Sequence, residues 1–524
     1  MFNDDDQPIA PVSKPGRSAL GFSDAGKASV KADHNKQAPL KANTVRVLLD
    51  VSSSSSTARR AALDLVVVLD VSGSMADGGK LDQLKLAMQF VIKKLSPMDR
   101  LSIVTFSSRA SRLCPLRAMS EAAKSDLKAI VDGLAARGGT NIQAGLETGL
   151  EVLGSRQYIA GRTVNILLMS DGQENNGDAR QVGNTRNVPV YSLAFGMGAD
   201  IKLLHELAKN GGTFSPVPEN GGMDMLAVFS QLMAGLLTVV VQDLQLILSK
   251  PTSPDAELDK IVKVAPGDFN QETESQSGTI TVKFGDLFSG EVRKVVVDLL
   301  LLETNESDYE TDILDVAVSY PDAQGARQKF RGQTLHITRT ATASSDATTR
   351  PLQAEMARRQ HADSISAARS LADGKNLEGA RDKLVEAQNA LEDILDQANP
   401  MVGMLRTELQ QLLDRMESQE LYETEGRPYA LASETSHARQ RFAARGDVEG
   451  VRLFATPRMD AYLEQAKQFA KDPDALLPTA DEDAQEEIKA NPMAAIAGPL
   501  AFYIQAAVQA LQAIEKIVIA TSNV

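Results

Sequence analysis

Residues 62–75 read ALDLVVVLDVSGSM. Positions 65–69 form an unbroken, valine-rich apolar run. Such a run suits a strand buried on both faces, the central strand of a parallel sheet. It ends on Asp70, so this carboxylate is expected at the strand's carboxyl end, where open α/β sheets bind their ligands. Asp70, Ser72 and Ser74 offer three hard oxygens within five residues, and Gly73 lets the loop turn tightly between them. Hard oxygens suit magnesium, with calcium or manganese as the other candidates.

Outward from this stretch, strand and helix alternate from residue 63 to about 237. Apolar positions at helical spacing predict a helix over 80–95. Strands are expected at 101–106, 164–169 and 188–195, with a short one near Phe214. Ser120 is placed to cap a helix. Residues 137–141 (RGGTN) lead into a helix over 142–153, and helices over 200–210 and 223–237 complete the unit. This alternation predicts a doubly wound parallel α/β sheet with helices on both faces, Rossmann-like in class, over 60–237. From 239 to about 339 helical spacing gives way to alternation, as at Leu244, Leu246 and Leu248. An antiparallel β-sandwich is expected there. A lone strand at 44–51 has no place in the parallel sheet. It is expected to complete the sandwich, so that residues 40–56 plus 238–340 form one domain into which the α/β domain is inserted.

The rest of the chain reads more simply. Residues 1–38 are rich in Asp, Pro, Ser, Gly and Lys and are expected to be disordered. Serines at 52–56 read as a flexible link. Residues 350–524 read as an α-helical domain: helices at 355–372 and 376–397 split by Asp373-Gly374, then helices near 401–422, 432–445, 458–470 and 499–520. The last carries an apolar stripe of Ile504, Val508 and Leu511 that reads as core. An acidic stretch at 472–489 is expected to be a solvated loop.

The 524 residues carry a net charge of −14, which disfavours binding nucleic acid through its phosphates. One cysteine, Cys114, excludes an intrachain disulfide. With only five histidines, at 34, 205, 336, 361 and 437, the chain lacks the ligands for a zinc finger or RING. No apolar leader and no run of about 20 apolar residues is evident, so the expectation is an intracellular, cytoplasmic protein without a transmembrane segment. Cys114 reads as a packed thiol, His205 as a structural histidine and Glu174 as a solvated loop acid.

Two further loops complete the motif. Thr140 follows Gly138-Gly139, and Asp171, followed by Gly172, ends the strand at 164–169. All three loops fall at the carboxyl edge of one expected sheet. In these residues the chain resembles the von Willebrand factor type A family with its metal-ion-dependent adhesion site. The resemblance implies hydroxyl ligands from Ser72, Ser74 and Thr140, with Asp70 and Asp171 acting mainly through water. It also implies a vacant coordination position that takes a partner's carboxylate. The wider arrangement resembles plant proteins in which a type A domain precedes a β-rich and helical region. Some of those carry a RING and act as ubiquitin ligases; the RING cysteines are absent here.

The expected function is therefore a magnesium-dependent protein–protein adhesion or scaffold module, binding a partner with an exposed Asp or Glu, and not an enzyme. The alternative is a non-catalytic adaptor or substrate-recruiting partner in ubiquitin signalling, beside a RING-bearing relative. A metal-dependent hydrolase ranks below both. A phosphatase of the haloacid dehalogenase class needs a carboxylate two positions after Asp70, where Ser72 stands. No histidine adjoins the motif loops, and no GxxxxGK[ST] loop is present.

Overall fold

A computed structural model of the chain describes residues 5–9, 27–53, 60–182, 188–196, 198–217, 224–252, 258–306, 308–322, 325–344, 348–394 and 396–490. The first strands, β1 (Ala28–His34), β2 (Gln37–Ala38) and β3 (Asn43–Ser53), belong to a sandwich that the chain leaves and later rejoins. It leaves through β4 (Ala62–Asp70), whose nine residues are all buried.

The inserted unit continues through α1 (Lys80–Lys94), β5 (Arg100–Phe106), β6 (Ala110–Arg112), β7 (Arg117–Ala118), α2 (Glu121–Asp132) and α3 (Ile142–Gly154). It ends with β8 (Arg162–Ser170), β9 (Val190–Phe195), α4 (Ile201–Ala208), β10 (Phe214–Val217) and α5 (Asp224–Leu236). Ser120 caps α2, accepting from the Ala123 N–H at 3.2 Å. The sheet order is β10-β9-β8-β4-β5-β6, with β7 also on β5. The five strands from β10 to β5 are parallel, and only β6 and β7 run antiparallel, at the edge. One face of β4 (Leu63, Leu65, Val67, Leu69) packs under α1 and α5, and the other (Val66, Val68) under α3. This is the type of layered α/β sheet the apolar runs predict. The strand order turns back beside β4, so the loops after β4 and β8 flank one crevice.

The chain returns to the sandwich through β11 (Val239–Ser249), β12 (Leu258–Ala265), β13 (Asn270–Thr273), β14 (Ile280–Phe288), β15 (Val292–Leu301), β16 (Tyr309–Pro321) and β17 (Arg327–Arg339). The sheets are β1-β3-β15-β12 and β13-β14-β11-β16-β17-β2. β3 pairs with β15 along its length, Val47 opposite Val297, so the α/β unit is an insertion, as expected. The crossings are tied together by the Ala61 N–H, which donates to the Val239 carbonyl at 2.8 Å.

The helical region comprises α6 (Arg350–Asp373), α7 (Leu377–Glu392), α8 (Pro400–Asp414), a single turn α9 (Gln419–Leu421) leading into a π-helical turn at Tyr422–Gly426, α10 (Arg427–Arg439), α11 (Pro457–Lys471) and α12 (Ala480–Ala490). α11 packs on α5, so this region closes over the inserted domain. Among the described residues no helix is long and apolar enough to cross a membrane.

Several expectations need correction. Part of residues 1–38 is ordered: β1 pairs along β3, β2 pairs with β17, and the Asp6 N–H donates to the Leu116 carbonyl at 3.0 Å. The strand signal at 28–38 is weak because Ala28, Val30 and Ala32, two of them small, alternate with Ser29, Lys31 and Asp33; the neighbouring strand supplies the backbone partners. Residues 480–490, read as loop, form α12: Thr479 and Glu482 make a capping box at its start, the Thr479 N–H donating to Glu482 Oε2 at 2.7 Å and the Glu482 N–H to Thr479 Oγ1 at 3.4 Å, and Asp483 pairs with Lys94 of α1 at 2.5 Å. The helix expected at 432–445 runs from 427 to 439, since Pro428 lies in its first turn, where proline is tolerated. Of the serine run, Ser52 and Ser53 end β3 and the rest lies outside the described residues, as does the expected helix at 499–520.

One buried charge cluster joins all three regions. Glu291 of the sandwich accepts from Arg293 at 2.8 Å and from Arg441 at 2.8 and 2.9 Å. Arg441, beyond α10, also donates to the Tyr191 hydroxyl of β9 at 2.8 Å. Burial alone would raise the Glu291 carboxyl, but the two guanidinium groups hold it down to about 2. Removing one partner of a buried pair leaves the others uncompensated. Glu291→Ala is expected to lower unfolding stability by about 3 kcal/mol or more in urea denaturation.

Candidate metal centre

β4 carries two fully buried aspartates that are treated differently. Asp64, near its start, pairs with Arg100 and Arg162 at 2.7 Å each and with Arg156 at 3.3 Å. Asp70, at its end, accepts from the Ser72 N–H at 2.8 Å and from the Ser170 hydroxyl at 2.6 Å. Among the described residues no ammonium, guanidinium or imidazole pairs with it. Burial pushes the Asp70 carboxyl above the ordinary aspartate range, its two serine donors oppose this, and the like charge of Asp171 adds to it.

The five motif residues are brought together by loop-to-loop hydrogen bonds. After Asp70 the chain enters a 3₁₀ turn, Gly73–Gly79, whose Gly73 N–H donates to the Gly138 carbonyl at 3.0 Å. That bond joins the first motif loop to the second. The second joins the third through the Thr140 N–H to Asn175 Oδ1 at 3.0 Å, and through the Asn175 and Asn176 N–H groups to the Thr140 carbonyl at 3.0 and 3.2 Å. The hydroxyls converge in consequence. Ser72 Oγ and Ser74 Oγ are 3.1 Å apart, and Ser74 Oγ donates to Asp171 Oδ1 at 2.7 Å. A Cβ at position 172 would stand 3.2 Å from Thr140 Oγ1, a close approach to the motif threonine, and 3.7 Å from Ser74 Oγ. Asp70, Ser72, Thr140 and Asp171 are all buried.

Two carboxylates and three hydroxyls, all hard oxygens, thus face one point at the sheet's carboxyl edge. The set fits a divalent cation on its chemistry: among the described residues Asp70 is a buried acid without a counter-charge, and burying an unpaired charge is costly. Lys80 and Ser170 also belong to the constellation and were missed from the sequence. Lys80 Nζ donates to Asp171 Oδ2 at 2.8 Å. The signal available was Gly78-Gly79 immediately before it.

The remaining candidates are structural. Glu174 is half-buried and not merely a solvated loop acid: it accepts from the Gln143 and Ala179 N–H groups, both at 2.7 Å, and so holds the third loop against α3. Cys114 is buried, and burial pushes its thiol up. His205 packs edge-on against Phe214, and burial lowers it to about 3.

A second cluster was not foreseen, because its members lie far apart in sequence. His361 of α6, Glu408 of α8 and His437 of α10 place potential ligand atoms within 4.8 Å of one another. Their hydrogen bonds argue against a metal there. Both Nε2 atoms lie 2.8 Å from Glu408 Oε2, and Arg358 Nη1 lies 3.1 Å from His437 Nδ1. Arginine only donates, so His437 Nδ1 accepts and its Nε2 carries the proton that Glu408 receives. Arg445 on Glu408 and Glu355 on Arg358 already balance the charge.

Comparison with known proteins bears on the fold. Residues 65–173 match the von Willebrand factor type A domain, and residues 399–468 match the family described as VWA / Hh protein intein-like. The chain is 32% identical over 305 residues to the E3 ubiquitin-protein ligase WAV3 of Arabidopsis thaliana, covering 57% of this chain and 38% of the ligase. It is 29% identical over 255 residues to the ligase WAVH1 of the same plant, covering 46% of this chain and 32% of the ligase. The chain therefore spans well under half the length of these relatives. A von Willebrand factor type A structure from Catenulispora acidiphila superposes with a TM-score of 0.57 at 16% identity, over 74% of this chain and 91% of that one, a likeness of fold. The expectation that the protein is not an enzyme is corrected by the ligases, whose names are those of enzymes.

His437 makes stability depend on pH. Burial, against the pull of Glu408, lowers His437 to about 4 from its ordinary 6.5. Unfolding therefore takes up a proton between these values. Stability is complete above pH 6.5 and falls as pH drops through the window. Lowering the pH from 7 to 5 is expected to cost about 2 kcal/mol from this histidine alone, read by urea unfolding at each pH.

Proposed function

We infer, from a chain that carries a von Willebrand factor type A domain, that its sheet edge is a divalent-cation-dependent site for a partner protein's carboxylate. Such domains commonly mediate protein–protein interaction. The observation that carries the reading is the contrast along β4: among the described residues Asp64 has three arginines, whereas Asp70 has only hydrogen-bond donors. Ser72, Ser74 and Thr140 would hold the ion through their hydroxyls, with Asp70 and Asp171 acting through water. Magnesium suits this arrangement because it keeps several waters; calcium and manganese are the alternatives. The ion would supply a Lewis-acidic position for an Asp or Glu side chain. The protein's own part is to hold the hydroxyls in register and to place the Asp70 and Asp171 carboxyl groups beside them.

A second reading concerns what the module serves. The likeness to WAV3 and WAVH1 supports a substrate-recruiting role in ubiquitin ligation, with a RING-bearing relative as the partner. In that role the type A domain would select the protein to be modified.

Asp70→Ala is the direct test. The wild-type protein is expected to retain a carboxylate-bearing partner in magnesium and release it in EDTA, and Asp70→Ala to capture none in either. Partner capture by the variant at the wild-type level, with unchanged EDTA sensitivity, would refute the reading. Co-purification with a RING-bearing protein, lost in the same variant, would favour the recruiting role.

A further inference from the structure

We propose that Lys80 is a built-in competitor for the ion, an ammonium that shares Asp171 with the metal and so weakens metal binding into a range where it can be reversed. The inference rests on the metal reading of the site and concerns its regulation.

The geometry is specific. Lys80 Nζ lies 2.8 Å from Asp171 Oδ2, while Ser74 Oγ takes the other carboxylate oxygen at 2.7 Å. The Lys80 side chain is 14% exposed and that of Asp171 is fully buried, so solvent screens this pair little. The backbone is shaped to bring the ammonium there. Gly78 and Gly79 both adopt left-handed conformations, at φ 61° and 69°. A Cβ on either would meet nothing within 4 Å, so conformation rather than space requires glycine at both positions. The double turn reverses the chain after the motif loop and sets Lys80 as the first residue of α1. A cation there opposes the helix dipole, which favours negative charge at an N-terminus. Helix formation thus gives no reason for Lys80, and Asp171 does.

The charge count gives the consequence. Asp70 and Asp171 contribute −2 and Lys80 contributes +1, so the three together carry −1. A divalent cation takes them to +1 with Lys80 in place, and to 0 without it. Lys80 therefore repels the incoming ion and competes for Asp171. In metal-free protein it also relieves the repulsion between the two buried aspartates. The site then survives loss of its ion without unfolding its loops, and partner binding can follow the free metal concentration.

The test measures magnesium binding to the full chain by calorimetry and, in parallel, the melting temperature with EDTA and with excess magnesium. Lys80→Met keeps the length of the side chain and removes its charge; Lys80→Gln is a second neutral variant should the first fold poorly; Lys80→Arg retains the charge. The expected result is magnesium binding at least tenfold tighter in the neutral variants, with a lower melting temperature in EDTA and a larger rise on adding magnesium. Lys80→Arg should remain within a few-fold of wild type. Neutral variants that bind magnesium with wild-type affinity, or more weakly, overturn the inference while leaving the metal reading intact. Wild-type protein that binds no magnesium, like Asp70→Ala, overturns the metal reading and this inference with it.

Discussion

A buried negative charge must be answered, and the inserted domain is arranged around two answers on one strand. β4 has no exposed residue, so its aspartates at either end have little water to solvate them. At the amino end three arginines surround Asp64. At the carboxyl end Asp70 meets the Ser72 amide and the Ser170 hydroxyl, and its neighbour Asp171 adds a further negative charge. The three motif loops follow from that constraint. Each supplies oxygen atoms to the same point, and each is held to the next through backbone groups, so the hydroxyls are positioned before any ligand arrives. Preorganisation of this kind limits the ordering cost of binding.

The surrounding domains keep that edge in place. The Ala61–Val239 hydrogen bond closes the two crossings of the insertion, and β3 with β15 makes the sandwich continuous across them. Arg441 then joins sandwich, inserted sheet and helical region through Glu291 and Tyr191. These contacts lie at junctions, whereas the candidate metal centre sits on the inserted domain's own sheet edge. Different groups occupy the two places: an arginine–carboxylate cluster at the joint, and hydroxyls beside the Asp70 and Asp171 carboxyl groups at the sheet edge.

The five candidate ligands, the parallel sheet and the insertion were legible in the sequence. An apolar run buried on both faces is a local pattern, and a carboxylate at its end is placed by the strand's direction alone. Thr140 and Asp171 were legible for the same reason, as loop residues next to recognisable elements. The short β1 strand and the α12 helix were not. Both carry little apolar periodicity; β1 takes its backbone partners from β3, while α12 is marked locally only by the Thr479–Glu482 capping box.

The sequence by itself thus determined which oxygens meet at one sheet edge, because strand polarity and alternation are properties of neighbouring residues. Only the tertiary structure decided how charge is distributed there. It gave Asp64 three arginines and Asp70, among the described residues, none, made Glu174 a loop clasp, and set Lys80 on Asp171. It also assembled His361, Glu408 and His437 from three helices into a neutral hydrogen-bonded cluster. The physical reason is that Coulomb and hydrogen-bond partners are chosen by distance in space. Sequence spacing reports that distance only within one turn or one strand.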